Sequence, residues 1–402
     1  MFLKIVFLLL AMGFAHAQKV TIAEFGDTQG DAYAQAVIRR AALFNPDAVL
    51  IAGDLMEHGE DPAAWTNYFS WLTTAGLYSV PNTRVYPCPG GHDAINCATL
   101  ADWQARWDPK WDLPGNESYY SFRKGNVFFL NVWIDYANET MLPYAVYSAQ
   151  WNFARQELTN ANADTTVKWI IVMWHLVPSE IASGTIGAAA SLPMWMQLCQ
   201  LYNADLVING HQHVYHRTYP VAYDKGVISV DSVSGKGVVY LAASNGDSPV
   251  AAGAPFPYHA IAAGSNNAGA VPGYKGWPIL KLEVDGLTLR GYGINAGDGS
   301  VFDSFVLTKA PARIERTGAL PEGAGISAAP NPFNGSTFIR VGGGITYPVP
   351  VEIFNVAGRR VRAFDLPESG MDWDARSLCP GFYLVRVSLA GKYYSRTLLL
   401  TR

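Results

Sequence analysis

The stretch "ADLVINGHQH", residues 204–213, drives a short apolar run into a glycine and then into two histidines one residue apart. A short apolar run closed by a turn signal reads as a strand buried on both faces. The histidines that follow are harder to assign to a core, because two imidazoles at a strand-end turn seldom serve packing alone. Four earlier segments repeat the pattern. "VTIAEFGD" ends at Asp27, "DAVLIAGD" at Asp54 and "KWIIVMWH" at His175, while "TRVYPCPGGHD" reaches His92 through two glycines.

Helical stretches lie between these runs. "DPAAWTNYFSWLTTAGL" spaces Trp65, Phe69 and Leu72 along one helical face, and "YSAQWNFARQEL" does the same with Trp151, Ala154 and Leu158. Strands alternating with helices imply an α/β protein with parallel strands. Ligands of such sheets bind beyond the carboxyl ends of the strands, and every polar residue named above sits at such an end. From Gly237 onward, "GVVYLAAS", "GWPILKLEVDGLTLRGYGI" and "GSVFDSFVLTK" alternate around Gly and Asp turns. They are expected to form a closing group of antiparallel strands.

The 402 residues carry 29 basic and 33 acidic side chains, a net charge of −4. That length sets two domains as the expectation, and the charge provides no basic field for a nucleic-acid duplex. At the N-terminus Lys4 precedes the apolar run "IVFLLLAMGF" and then Ala15-His16-Ala17. This reads as a secretory signal peptide over residues 1–17. No later stretch is apolar for long enough to cross a bilayer as a helix. Export permits disulfides, and a Cys88–Cys97 bridge would staple the His92 loop. Cys199, in "PMWMQLCQLY", reads as a small core residue.

The strand ends and their turns assemble Asp27, Gln29, Asp54, His92, His175, His211 and His213. In an extended chain, residues i and i+2 point to one side, so "DTQ" and "HQH" can each converge on one ion. Carboxylate, amide carbonyl and imidazole donors without thiolate suit Mn, Fe, Zn or Mg. Asp54 is placed to be shared between two ions, and a pair of cations about 3.5–4 Å apart suits phosphate ester hydrolysis.

In order, "GDTQG", "GDLMEHG", "PGGHD", "VMWH" and "GHQH" resemble the five motifs of the calcineurin-like metallophosphoesterases. "YYSFRKGNVFFLNV", "GHQHVYHRTYPV" and "LEVDGLTLRGYG" are similar to the purple acid phosphatase branch. The resemblance implies a four-layer αββα sandwich with a dinuclear site between its sheets. It implies one metal on Asp27, Gln29, Asp54 and His213, and another on Asp54, His175 and His211. His92 would protonate the leaving oxygen, with Asp93 holding its ring. Three positions depart from the family pattern. Gln29 stands where many relatives have His, Glu57 stands where the purple enzymes have a tyrosine, and Gly91 replaces an asparagine ligand. The second metal site is therefore expected to be the weaker.

The C-terminal strands "STFIRV", "VPVEIFNV", "RRVRAFDL", "GFYLVRVSL" and "KYYSRTLLLT" recur at short, regular spacing, as in an all-β sandwich. "PNPFNGSTFIRV" and "VEIFNVAGRRVR" resemble the sorting domains of bacterial type IX secretion. The expected organisation is a signal peptide at 1–17, a catalytic domain at 18–309, a linker at 310–327 and a small β-sandwich sorting domain at 328–402. The resulting expectation is a secreted or cell-surface bacterial phosphoesterase acting on a small-molecule or nucleotide phosphate ester. Its other partner would be the secretion machinery. The alternative, motivated by Gly91, is a metallophosphoesterase fold that has lost turnover and serves as a surface binding protein.

Overall fold

The computed structural model describes residues 19–309 and 325–401, apart from 80–82, 95–99, 108–114, 135–147, 181–184, 187–191, 225–226, 232–236, 246–256, 265–276, 343–347, 356–359 and 390–391. The expected signal peptide, Cys97 and its pairing, and most of the expected linker lie outside the described residues. The chain divides into two compact units, the larger ending at Lys309 and the smaller beginning its main body at Ala310.

The apolar runs of the larger unit form strands, as their lengths and branched residues favour. β1 (Val20–Phe25), β2 (Ala48–Ile51) and β3 (Val85–Pro87) lie side by side in parallel. β4 (Gly115–Asn116), β5 (Tyr119–Lys124), β6 (Val127–Asn131), β7 (Trp169–Met173), β8 (Leu206–Asn209), β9 (Val214–Thr218), β10 (Val239–Ala243) and β11 (His259–Gly264) form a second sheet in the order β11-β9-β10-β8-β7-β6-β5-β4. β12 (Pro278–Asp285), β13 (Thr288–Asn295) and β14 (Val301–Thr308) extend the first sheet antiparallel, giving β14-β13-β12-β1-β2-β3. The expected antiparallel closing group is thus real for β12–β14 only. β10 instead pairs in parallel with β8 and antiparallel with β9, because its apolar side chains join the buried second sheet.

The two sheets face each other across one core. Ile22, Leu50 and Leu282 from the first meet Phe129, Ile171, Leu206 and Leu241 from the second, all at most 1% exposed. Each such side chain contributes about 1.5–3 kcal/mol relative to exposure. α1 (Ala32–Leu43) packs on β1 and β12 and against α2 (Pro62–Thr74). Asp61 caps α2, its carboxylate accepting from Ala63 N at 2.8 Å, with Pro62 opening the helix. The short helices α3 (Gly91–Ala94) and α4 (Leu100–Trp107) follow β3. α5 (Ala149–Ala163) packs on β6, and its Trp151 meets Trp195 of α6 (Leu192–Leu201) edge to face. Trp65, Leu72, Trp151, Ala154 and Leu158 are buried, as their spacing predicts, and so is Cys199; Phe69 is only partly buried, while its neighbour Tyr68 is fully buried. The result is the expected αββα layering.

The smaller unit is all-β. β15 (Gly325–Ala329), β16 (Ser336–Gly342) and β19 (Met371–Asp374) form one antiparallel sheet. β17 (Val349–Asn355), β18 (Arg360–Leu366), β20 (Gly381–Leu389) and β21 (Lys392–Leu400) form another, in the order β18-β17-β20-β21. Ile339, Val351, Ile353, Val385 and Leu398 fill its separate core.

Candidate metal centre

Parallel pairing brings the polar strand ends to one edge. Phe25 lies opposite Ile51 and Ile51 opposite Pro87, so the turns carrying Asp27, Asp54 and His92 emerge together. In the second sheet Ile208 lies opposite Met173, which brings His175 beside the turn of His211 and His213. The sheets are stitched together at this edge. Gly26 N donates to Ala243 O at 3.1 Å, and Asn245 N donates to Gly26 O at 3.1 Å.

The turns are not extended. Asp27, Gln29, Asp54, His211 and His213 have φ of 54°, 52°, 48°, 76° and 51°. The expectation that i and i+2 converge through an extended backbone is therefore corrected: left-handed turns aim these side chains. Among the described residues seven non-glycine positions have positive φ, and these five are the majority. Such backbones cost about 1–3 kcal/mol each and persist where the surroundings over-determine them, most often at functional sites.

Asp27, Asp54 and His175 each offer a ligand atom within 4.8 Å of the others, and all three are buried. His175 Nε2 lies 3.2 Å from Asp54 Oδ2, and His213 Nε2 lies 3.8 Å from Asp27 Oδ1. The His211 ring centroid is 5.4 Å from that of His175. Around them the polar contacts are specific. Asp27 accepts from His211 N at 2.8 Å and from Ser244 Oγ at 2.6 Å. Asp54 Oδ1 accepts from His92 N at 2.9 Å. His175 Nδ1 lies 2.7 Å from the Ala52 carbonyl, which can only accept, so Nδ1 donates to it and Nε2 is the nitrogen left facing the carboxylates.

This donor set fits a hard or borderline cation. Gln29 Oε1 is buried and has no hydrogen-bond donor among the described residues. Glycines keep the space open, since a Cβ on Gly210 would sit 2.6 Å from Asp27 Oδ2 and one on Gly53 2.4 Å from His175 Nδ1. Burial first, then the His175 ring, push His211 down to about 3, leaving a neutral imidazole. Burial would raise Asp54, but His175 and the His92 N–H outweigh it and hold the carboxyl well below its usual range.

The turn "PGGHD" departs from the expected contact of Asp93 with the His92 ring, and its glycines serve close approach. Neither Gly90 nor Gly91 has positive φ; Gly90 is needed for close approach, because a Cβ there would meet Asp54 Oδ1 at 2.2 Å. Asp93 does not hold the His92 ring. Its carboxylate accepts from Leu55 N, Met56 N and Gly90 N at 3.0–3.1 Å and so pins two turns together. Burial and then the Asp54 charge push it up to about 8. The ring is held instead by Glu57, whose carbonyl oxygen lies 3.1 Å from His92 Nδ1. Burial would lower His92, but Asp54 and that carbonyl outweigh it and raise its pKa.

Ser244, the Ala52 carbonyl and the contacts of Glu57 had no signal in the sequence, since each depends on a distant segment. Glu24 was equally hidden inside an apolar run. It is wholly buried, neither carboxyl oxygen has a partner among the described residues, and burial followed by Asp27 raises its pKa. Arg217 forms a bidentate pair with Asp303 at 2.8 and 2.9 Å and lies over Phe305. It is therefore a structural arginine of the inter-sheet core.

A four-layer sandwich with acidic and histidine strand ends at its stitched edge is a metallophosphoesterase architecture, and the family comparison agrees. Residues 20–215 match the family model of the calcineurin-like phosphoesterases, and residues 327–401 match the secretion system C-terminal sorting domain. An uncharacterized protein of Mycobacterium tuberculosis strain H37Rv is 28% identical over 209 residues, 49% of this chain and 38% of its own length. Phosphoenolpyruvate phosphatase of Allium cepa is 26% identical over 161 residues, 39% of this chain and 30% of its own. The chain thus spans well under half the length of these curated relatives. Among solved structures, purple acid phosphatase PPD1 from yellow lupin aligns with a TM-score of 0.56 at 17% identity, covering 73% of this chain and 54% of that one. GAP50 of Plasmodium, the anchor in the inner membrane complex, aligns with 0.51 at 13% identity, covering 73% and 90%. These two likenesses show a shared fold.

Proposed function

We propose that the chain is an exported metal-dependent phosphoesterase that hydrolyses phosphate mono- or diesters of small molecules or nucleotides. The observation that carries this reading is the meeting of Asp27, Asp54 and His175 within 4.8 Å on strand ends. Asp27, Gln29, Asp54 and His213 would hold one divalent cation, and Asp54, His175 and His211 the other. Mn, Zn or Fe match these oxygen and nitrogen donors. When bound, the cations supply Lewis acidity toward phosphoryl oxygens and toward water.

The chain's own residues supply the rest. Asp54 serves both positions, its carboxylate fixed by the His92 N–H. His92 is the general acid. With Nδ1 directed to the Glu57 carbonyl, Nε2 is the nitrogen left to donate a proton to the departing oxygen. Asp93 keeps the His92 turn against the Asp54 turn through its three backbone contacts. Residues 18–309 form the catalytic domain of this reading and 310–327 its linker. Residues 328–402 act as a type IX sorting domain that, after removal of a signal peptide at 1–17, directs the protein to the bacterial surface or medium.

The test is hydrolysis of a chromogenic aryl phosphate monoester and diester by the purified mature protein. Exhaustive chelation should abolish turnover and added Mn or Zn should restore it; turnover that survives chelation would sink the dinuclear reading. Gly91 supports the second reading, a binding protein without turnover, because it brings no side-chain ligand where the family has asparagine. Tight metal uptake with no hydrolysis of either ester would favour that one.

A further inference from the structure

Gln29 raises a question that a histidine at the same position would not. An amide presents an oxygen and an NH2 group of nearly equal size, and only the oxygen can ligate a cation. Something must decide which faces the site. Gln29 Nε2 donates to Glu57 Oε2 at 2.7 Å. An ionised carboxylate only accepts, so the NH2 group must face it and Oε1 must face the other way. There Oε1 is buried without a hydrogen-bond donor among the described residues. The two residues are also joined through their backbones, Glu57 N donating to Gln29 O at 3.0 Å.

The same carboxylate reaches the acid. Glu57 Oε2 lies 3.4 Å from His92 Nδ1, close to the 3.1 Å contact of that nitrogen with the Glu57 carbonyl oxygen. We propose that Glu57 is a positioning residue that turns the Gln29 amide oxygen toward the metal centre and ties it to the ring of the proton donor. The proposal rests on the metal-centre reading above. It assigns a task to Glu57, which stands where the purple enzymes carry a tyrosine. Glu57 acts through Gln29, and its side chain is about half exposed.

Calorimetric titration of the metal-free full chain with Mn or Zn tests this without reference to turnover. Glu57→Ala should weaken the site served by Gln29 by about 10–100-fold, the usual effect of removing a group that orients a ligand. Glu57→Gln keeps a carbonyl acceptor for Gln29 Nε2 but can also turn its own NH2 toward Gln29 Oε1, so it should lose affinity, though less than Glu57→Ala. In a Gln29→Ala background, Glu57→Ala should cost nothing further, because coupled residues are non-additive. An equal loss in Glu57→Gln and Glu57→Ala would overturn the proposal and mark Glu57 as a direct ligand or a purely electrostatic group. Additive losses in the double variant, or no loss in Glu57→Ala, would overturn it as well. A wild-type chain that takes up no metal would instead defeat the metal-centre reading itself.

Discussion

The two units build their strands differently and end them differently. In β16 of the smaller unit, exposed and buried residues alternate without interruption. Positive φ in the described part of that unit falls on glycines alone, at Gly335, Gly370 and Gly381. In the larger unit the alternation gives way to fully buried strands, and the chain then turns through left-handed Asp27, Gln29, Asp54, His211 and His213. Unfavourable backbone is thus concentrated at one edge of one unit. Its neighbours hold it there, and the glycines among them have no room to grow.

The sharpest way to break this comparison is to add one methyl group on each side of it. Gly53→Ala places a Cβ 2.4 Å from His175 Nδ1 in a backbone with φ of +87°. It should destabilise the metal-free protein by about 3 kcal/mol through overpacking and the left-handed penalty together. Gly325→Ala has no atom within 4 Å of its new Cβ and should stay within about 0.5 kcal/mol. Equal shifts in urea midpoint would show that the site edge carries no special constraint.

A second substitution asks whether the centre is short of a ligand. Gly91 opens α3 without a left-handed backbone, so Gly91→Asn meets no conformational penalty of that kind. It should tighten the weaker of two metal sites by at least 10–100-fold, about 1.4–2.7 kcal/mol. Two equally tight sites in the wild type, unchanged by the asparagine, would show that another residue already fills the place.

Histidine separates the units as well, since all eight precede residue 260 and the smaller unit has none. Both ring nitrogens of His216 are buried without a partner among the described residues. Burial, then His259, holds its pKa well below the usual value. The unfolded chain takes up that proton below about pH 6.5, and the folded chain does not. Stability of the larger unit should therefore fall as pH drops below 6.5, by up to about 1.4 kcal/mol per unit for this residue. His216→Leu should flatten that slope, and thermal melts between pH 5 and 7 read it directly. An unchanged slope would remove His216 from the account.

The smallest effect is expected at the boundary. A chain ending at Lys309 keeps the pair of Lys309 with Asp205 at 2.7 Å and all the site residues. Its metal content and turnover should match those of the full chain. Loss of metal on truncation would show that the smaller unit supports the centre.

The local order of apolar and polar residues was enough to find most of the candidate centre. An apolar run that stops at a polar residue reports a strand end wherever the strand lies, so Asp27, Asp54, His175 and His211, with His213 in the turn beyond, could be read in advance. The amphipathic spacing of Trp65 and Leu72, or of Trp151 and Leu158, reported its buried face for the same reason. Strand direction was less legible. The segment containing β10 was expected in the antiparallel closing group; it is antiparallel to β9 but parallel to β8, and its composition does not say which neighbours it takes.

The left-handed turns, the Ser244 and Ala52 contacts, the Asp93 clasp and the Glu57–Gln29 bond were settled by tertiary structure alone. Ser244 lies 217 residues from the Asp27 that it donates to, and Glu57 lies 28 from Gln29. A sequence pattern carries period and chain order, which fix what a residue offers and which side of an element it occupies. Which lone pair faces which proton depends on segments that meet only when both sheets close over their common core.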